Sequence, residues 1–193
     1  RSTLFPYTTL FRSASTDISN PTMIVHDSTL ETLKSIMIDG ENISVSDLTV
    51  DGEYQFNELG EHIAKFTFIN QNVIVESAFD ACETITNIII KEGITDIETA
   101  AFAGCINLSD ITLPNTLTII GSDAFDGCQS LTTINLPKSL TTISDSAFNA
   151  CTGIINITIP DSVTVLDEQT FSGCTNLTNI HIPDTITKFG RQC

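Results

Sequence analysis

A solenoid of stacked, near-identical coils is the fold this sequence predicts, and three observations carry the prediction. Phenylalanine recurs at Phe79, Phe102, Phe125, Phe148 and Phe171, a constant step of 23 residues. A cysteine follows each one three places on, at Cys82, Cys105, Cys128, Cys151 and Cys174. The apolar positions between successive phenylalanines also repeat: Leu108, Ile111, Leu113, Leu117 and Ile120 in one period, Leu131, Ile134, Leu136, Leu140 and Ile143 in the next. A period of about 20–50 residues marks an array in which each coil buries its apolar face only against its neighbours, so several coils are needed before any is stable.

Within a period, the segment Leu-x-x-Ile-x-Leu-Pro reads as a short strand. Its last two apolar residues alternate, and the proline at Pro114, Pro137, Pro160 or Pro183 lacks an N–H and ends the pairing. One short strand per coil, stacked at a fixed step, predicts a parallel sheet. The stretch Ala101-Phe102-Ala103-Gly104-Cys105 and its copies show no two-residue alternation, and the expectation there is a short helical turn closed by glycine.

The strand, the proline and the Ala-Phe-x-Gly-Cys turn together resemble the BspA-like leucine-rich repeat, the treponemal type with a 23-residue coil. The resemblance covers roughly residues 57–193, with five Phe-x-x-Cys units, and departs from the pattern at Lys91, which stands in the proline position of the first clear coil. It implies a leucine-rich-repeat solenoid from a secreted or cell-surface molecule of bacteria or some protists, of a kind that binds host matrix proteins or mediates adhesion.

Taken in order, residues 1–13 contain Thr3 to Ser13, a stretch that reads like a translated sequencing adapter and is set aside from the fold. Residues 14–56 read as an N-terminal flank or degenerate cap. Its first part is polar, Leu33, Ile36 and Ile38 repeat the strand spacing before a turn at Asp39-Gly40, and Leu48–Val50 and Tyr54–Phe56 around Asp51-Gly52 suggest a β-hairpin. Residues 57–193 form the array, opening with an irregular coil at Ile63, Phe66 and Phe68. Cys193 falls in the column of Ala101 and Ala124, so the array is expected to be cut in mid-repeat and to belong to a longer chain.

Composition narrows the partners. With 24 acidic residues against 8 basic ones the net charge is −16, a field that repels phosphate backbones and anionic lipid. Nucleic acid is therefore not expected as a partner, and no apolar run is long enough for membrane insertion of a helix. The six cysteines lie in one ladder apart from Cys193. Neighbouring coils would bring their Cα atoms to about 5 Å, within disulfide reach. Side chains stacked in parallel seldom point at one another, however, and the expectation is a reduced, buried ladder. A zinc site lacks its Cys-x-x-Cys pairs and flanking histidines.

Catalytic chemistry finds no foothold, and no cofactor is expected. His26, His62 and His181 are scattered, and the nucleophile elbow, the zinc-protease helix and the glycine-rich phosphate loops are missing. Asp123 with Asp126 and Asp167 with Glu168 could hold calcium, but no known calcium loop surrounds them and they read as solvated turns. Sequons at Asn42, Asn107, Asn156 and Asn176 arise from the repeat itself.

The informative positions flank the buried isoleucine of each strand. One outward column is Asn87, Asp110, Thr133, Asn156 and Asn179; the other is Ile89, Thr112, Asn135, Thr158 and His181. Only Asp110 among them is an acid, so the negative charge should sit on the turns, leaving a hydroxyl and amide surface suited to a protein or glycan ligand. A polar ladder with no binding role fits the same residues. Three function classes follow: an extracellular module for protein binding or adhesion, a structural spacer, and the non-catalytic part of a longer enzyme. The first leads, the uniform Thr/Asn columns without aromatic or arginine anchors favour the second, and the chain itself is not expected to be an enzyme.

Overall fold

The computed structural model describes residues 72–193 throughout and, before them, residues 9–15, 22–23, 33–38, 41–43, 53–54 and 60–68. The earlier segments are β1 (Thr9–Ser15), β2 (Thr22–Met23), β3 (Leu33–Ile38), β4 (Glu41–Ile43), β5 (Glu53–Tyr54) and β6 (Gly60–Phe68), and all of their mutual pairings are antiparallel. β3 pairs with β4, with Ile36 opposite Ile43, and the expected turn at Asp39-Gly40 lies outside the described residues. Of the hairpin expected around Asp51-Gly52, Leu48–Val50 lie outside the described residues, and β5 pairs with β2. β1 lies between β6 and the first strand of the array.

From residue 73 the strands pair with one another in parallel, β8 (Ile85–Ile89) also pairing antiparallel with β1, and the 23-residue step takes over. Each coil has three sides. The strand side carries β8 (Ile85–Ile89), β10 (Asp110–Thr112), β13 (Asn156–Thr158) and β15 (Asn179–His181), with Ile111 beside Ile88 and Ile180 beside Ile157. The coil between β10 and β13 contributes one bridge, Thr133 to Asn156. A second side, just after the proline corner, carries two-residue strands: β7 (Val73–Ile74), β9 (Asp96–Ile97), β11 (Ile119–Ile120), β12 (Thr142–Ile143), β14 (Val165–Leu166) and β16 (Lys188–Phe189). Sequence reasoning found the first ladder and not the second, because two residues are too few to display an alternation.

The third side corrects the expectation of a helical turn at Ala-Phe-x-Gly-Cys. There is no helix among the described residues; the segment is a run of tight turns. Alternate N–H groups go to different places. Ala78, Asp80 and Cys82 donate three residues back, to Val75, Ser77 and Phe79, whereas Ser77, Phe79 and Ala81 donate into the next coil, to Thr99, Ala101 and Ala103 at 2.7–2.9 Å. A helix would need every N–H for its own chain; here half of them stitch one coil to the next. The geometry also requires a left-handed residue, supplied by Gly104, Gly127 and Gly173 at φ of 67–72°, and by Ala81 and Ala150 at 55° and 51° in the same column.

The core is a set of columns running along the stack. Phe79, Phe102, Phe125, Phe148 and Phe171 stack ring on ring, with centroids 5.4–5.6 Å apart and planes within 11° of parallel. Offset aromatic stacking adds to the apolar area these rings bury. Ile88, Ile111, Ile134 and Ile157 line the strand side, and Leu117, Leu140 and Val163 fill the corner. In the small-residue column Ala78, Ala101, Ala124 and Ala147 are followed by Thr170, a buried polar residue whose hydroxyl donates to Asp167 O at 2.7 Å.

Candidate strand-face binding site

The cysteines come first, because they are the nearest approach to reactive chemistry. All six are free thiols; Cys82, Cys105, Cys128 and Cys151 are buried, and Cys193 is exposed. Each Sγ–H from Cys105 to Cys174 donates to the carbonyl of the preceding coil's phenylalanine, at 3.0–3.2 Å. That contact explains why a cysteine, and not only a small apolar residue, suits the column. Burial pushes the Cys105 thiol up to about 12 and the Cys82, Cys128 and Cys151 thiols well above the ordinary range. A neutral, buried thiol is a poor nucleophile and a poor metal ligand. Among the described residues no group of three or more His, Cys, Asp or Glu is placed to hold a metal ion.

Acidic groups collect on the turns. Asp145 accepts from Glu168 N–H at 2.9 Å, Glu98 accepts from Glu76 N–H at 3.0 Å, and Asp126 accepts from the Asn149 amide at 2.8 Å. Partial burial and the neighbouring Asp126 and Asp145 raise the pKa of Asp123.

The strand side brings the ten outward residues together as two columns. Asn87 and Ile89 are half-buried, opposite β1 residues Arg12 and Leu10, and the other eight are exposed. Several of these side chains bond to one another: the Asn87 amide donates to Asp110 at 2.7 Å and the Asn179 amide to Asn156 at 2.7 Å. Towards the C-terminal end the face opens into a groove of about 560 Å³. Thr133, Asn135, Asn156, Thr158 and His181 line it, so half of the sequence-predicted face belongs to this groove. Its rim adds Lys138, Pro160, Asp161 and Ser162, which sequence reasoning passed over because they lie beyond the proline corner. Lys138 carried a signal: it is the one cation in a column otherwise made of Glu92, Asn115, Asp161 and Asp184.

This architecture defines a class, the solenoid scaffold that presents a ladder of short parallel strands. The chain belongs to the BspA type leucine-rich repeat family, whose model matches residues 72–193 in six copies. No curated protein sequence matches it. Among solved structures, it is similar to a leucine-rich cell surface protein of Faecalibacterium prausnitzii, with 36% identity over 60% of this chain and 31% of that one, and a TM-score of 0.55. It is also similar to the leucine-rich repeat protein of T. pallidum, at 25% identity over 70% of each chain and a TM-score of 0.55. The pneumococcal vaccine antigen PcpA matches at 25% identity over 62% of this chain and 34% of its own, with a TM-score of 0.54. The chain therefore spans about a third of the length of the Faecalibacterium protein and of PcpA. No helix among the described residues is long and apolar enough to cross a membrane.

Proposed function

We propose that this chain is a cell-surface or secreted binding module that holds a protein ligand on its strand side. The observation that carries the reading is the open groove over Thr133, Asn135, Asn156, Thr158 and His181, set in the one face of the array that is nearly free of acids. Low charge matters here, because a face dense in carboxylates would have to be desolvated before any neutral surface could dock on it. Likeness to a Faecalibacterium cell surface protein and to a pneumococcal antigen supports the location.

A specific observation favours a spacer as the second reading. The bonds from Asn87 to Asp110 and from Asn179 to Asn156 satisfy the face internally. The rings of Phe79, Phe102, Phe125, Phe148 and Phe171 lie in the buried stack, and the ten outward positions offer no aromatic or arginine anchor.

A panel of purified secreted and extracellular-matrix proteins, screened by biolayer interferometry, separates the two. A binding module gives a ligand whose affinity drops at least about tenfold, or 1.4 kcal/mol, in Thr133→Arg and Asn179→Arg, with melting unchanged, and is unaffected by Glu83→Arg outside the strand face. Ligands indifferent to both strand-face substitutions would overturn the reading.

A further inference from the structure

A regular solenoid makes the same hydrogen bond at every step, so a step that omits it stands out. On the strand side, the residue after each strand donates into the next coil: Ile90 N–H to Thr112 O at 2.9 Å and Ile159 N–H to His181 O at 3.0 Å. The two equivalent positions between them are Leu113 and Leu136. Neither makes the corresponding bond, to Asn135 O or to Thr158 O. The side-chain ties fail over the same stretch. Asn107 and Asn176 each reach a carbonyl of the preceding coil, Glu83 O at 2.9 Å and Thr152 O at 2.8 Å. The intervening members of that column are Ser130, whose hydroxyl makes no such bond among the described residues, and Gly153, which has no side chain to make one. A Cβ at position 153 would stand 2.4 Å from Gln129 O, so this coil approaches its neighbour there by giving up a side chain.

The turn side stays closed across the same step, with Phe148 N–H donating to Thr170 O at 3.0 Å and Ala150 N–H to Ser172 O at 2.7 Å. The second side opens at the same step: β12 pairs with β11 and β14 with β16, but neither Thr164 N–H to Thr141 O nor Asp167 N–H to Ile143 O is made, the equivalents of Thr141 N–H to Thr118 O and Ser144 N–H to Ile120 O one coil earlier. Leu136 and Thr158 both line the groove of about 560 Å³, together with the apolar Ile134, Ile157 and Ile159. Leu136 N–H and the Asn135 and Thr158 carbonyls, all on the groove, lack the partners that their equivalents have, and a ligand that supplies a missing partner gains a hydrogen bond.

A ligand that serves both the N–H and a carbonyl must accept and donate within one small group. A carboxylate only accepts, an ammonium only donates, and a chain of net charge −16 discriminates further against the carboxylate. A hydroxyl does both through one atom, and a neutral primary amide does both through two atoms set side by side, which suits a donor and an acceptor on adjacent coils. We propose that the groove between Leu136 and Thr158 is a subsite for a primary amide, the side chain of Asn or Gln on a partner protein, whose C=O accepts from Leu136 N–H and whose N–H donates to Thr158 O. This rests on the strand side being the ligand face, and it adds the chemistry of the anchor.

The test is a titration of the nitrogen-15-labelled chain with capped glutamine (N-acetyl-glutamine methylamide), with capped glutamate and capped norleucine as the comparisons. Capped glutamine should give a saturable shift at the Leu136 amide several-fold larger than either comparison gives, with Ile90 unmoved. Thr158→Arg, which fills the groove from an exposed position, should abolish that shift without lowering the melting temperature. In the free protein, the Leu136 amide should exchange with solvent faster than that of Ile159. Equal shifts from all three probes, a shift that survives Thr158→Arg, or exchange at Leu136 as slow as at Ile159 would each overturn the subsite. A protein ligand lost in Thr133→Arg and Asn179→Arg, found alongside any of those results, would leave the binding module standing and remove only the amide anchor.

Discussion

Phe125 has no exposed surface and sits between Phe102 and Phe148 at 5.4 Å from each, so its truncation removes contacts on both faces of the ring. Phe125→Ala should cost about 3–5 kcal/mol, against less than about 0.5 for Thr112→Ala or Asn135→Ala, measured as shifts in a denaturant midpoint. Asp123 presents the opposite case. Its pKa is raised by partial burial and by Asp126 and Asp145, so the folded chain holds the proton more tightly than the unfolded one. That contribution is complete below the ordinary aspartate value of 3.8 and is lost as pH rises through the folded pKa. Asp123→Asn should therefore raise the melting temperature at neutral pH, and the gain should shrink as pH falls towards that value; asparagine also tolerates the φ of 55° found there. The thiols behave as acids held neutral by burial. Cys105, pushed up to about 12, loses stabilising effect only as pH rises from 9.0 towards 12. At neutral pH a thiol reagent should label Cys193 quickly and the four buried cysteines only after denaturant is added, as counted by intact mass. The sequence revealed the apolar cysteine column through its constant step. It concealed the Sγ–H bonds, because donor and acceptor are 26 residues apart and only the stacked coils bring them together.

Elements short enough to be one side of a coil are where sequence reasoning has least purchase. The strand template at Ile111 and Leu113 was legible from its alternation and its proline, and β10 lies there. The turn at Ala-Phe-x-Gly-Cys was located but given the wrong hydrogen bonds, since a donor shared with the next coil leaves no local pattern. Glycine in that column was a clue to the left-handed φ, but Ala81 and Ala150 hold the same conformation and blur it. The corner after each proline holds a further device that spacing does not show. Thr116, Ser139, Ser162 and Thr185 each donate to a carbonyl of the preceding coil, and Ser162 reaches both Lys138 O and Leu140 O, at 2.9 and 2.5 Å. Ser162→Ala should thus cost about 0.5–1.5 kcal/mol in a denaturant midpoint, although a serine at the chain surface would ordinarily be neutral.

At the scale of the molecule, the charge distribution was legible because it follows from column membership: acids occupy turn columns, and of the ten outward strand positions only Asp110 is one. The groove was not legible. It depends on two omitted backbone bonds around one coil, and nothing in a list of outward residues records how far apart two coils stand. What unifies the account is that each 23-residue coil is an interchangeable unit, stabilised by its neighbours through three stacked sides. The most direct measurement is the unfolding of two internal deletions. Removing residues 106–128 takes out one whole period, joins Cys105 to Gln129 and keeps every column in register. That chain should fold cooperatively, with the denaturant midpoint lowered by about one inter-coil contribution. Removing one residue fewer, 106–127, displaces every later phenylalanine from the ring stack and should abolish the cooperative transition of the array. If both deletions melt alike, whether both fold or both fail, the coils are not the repeating unit that holds this protein together.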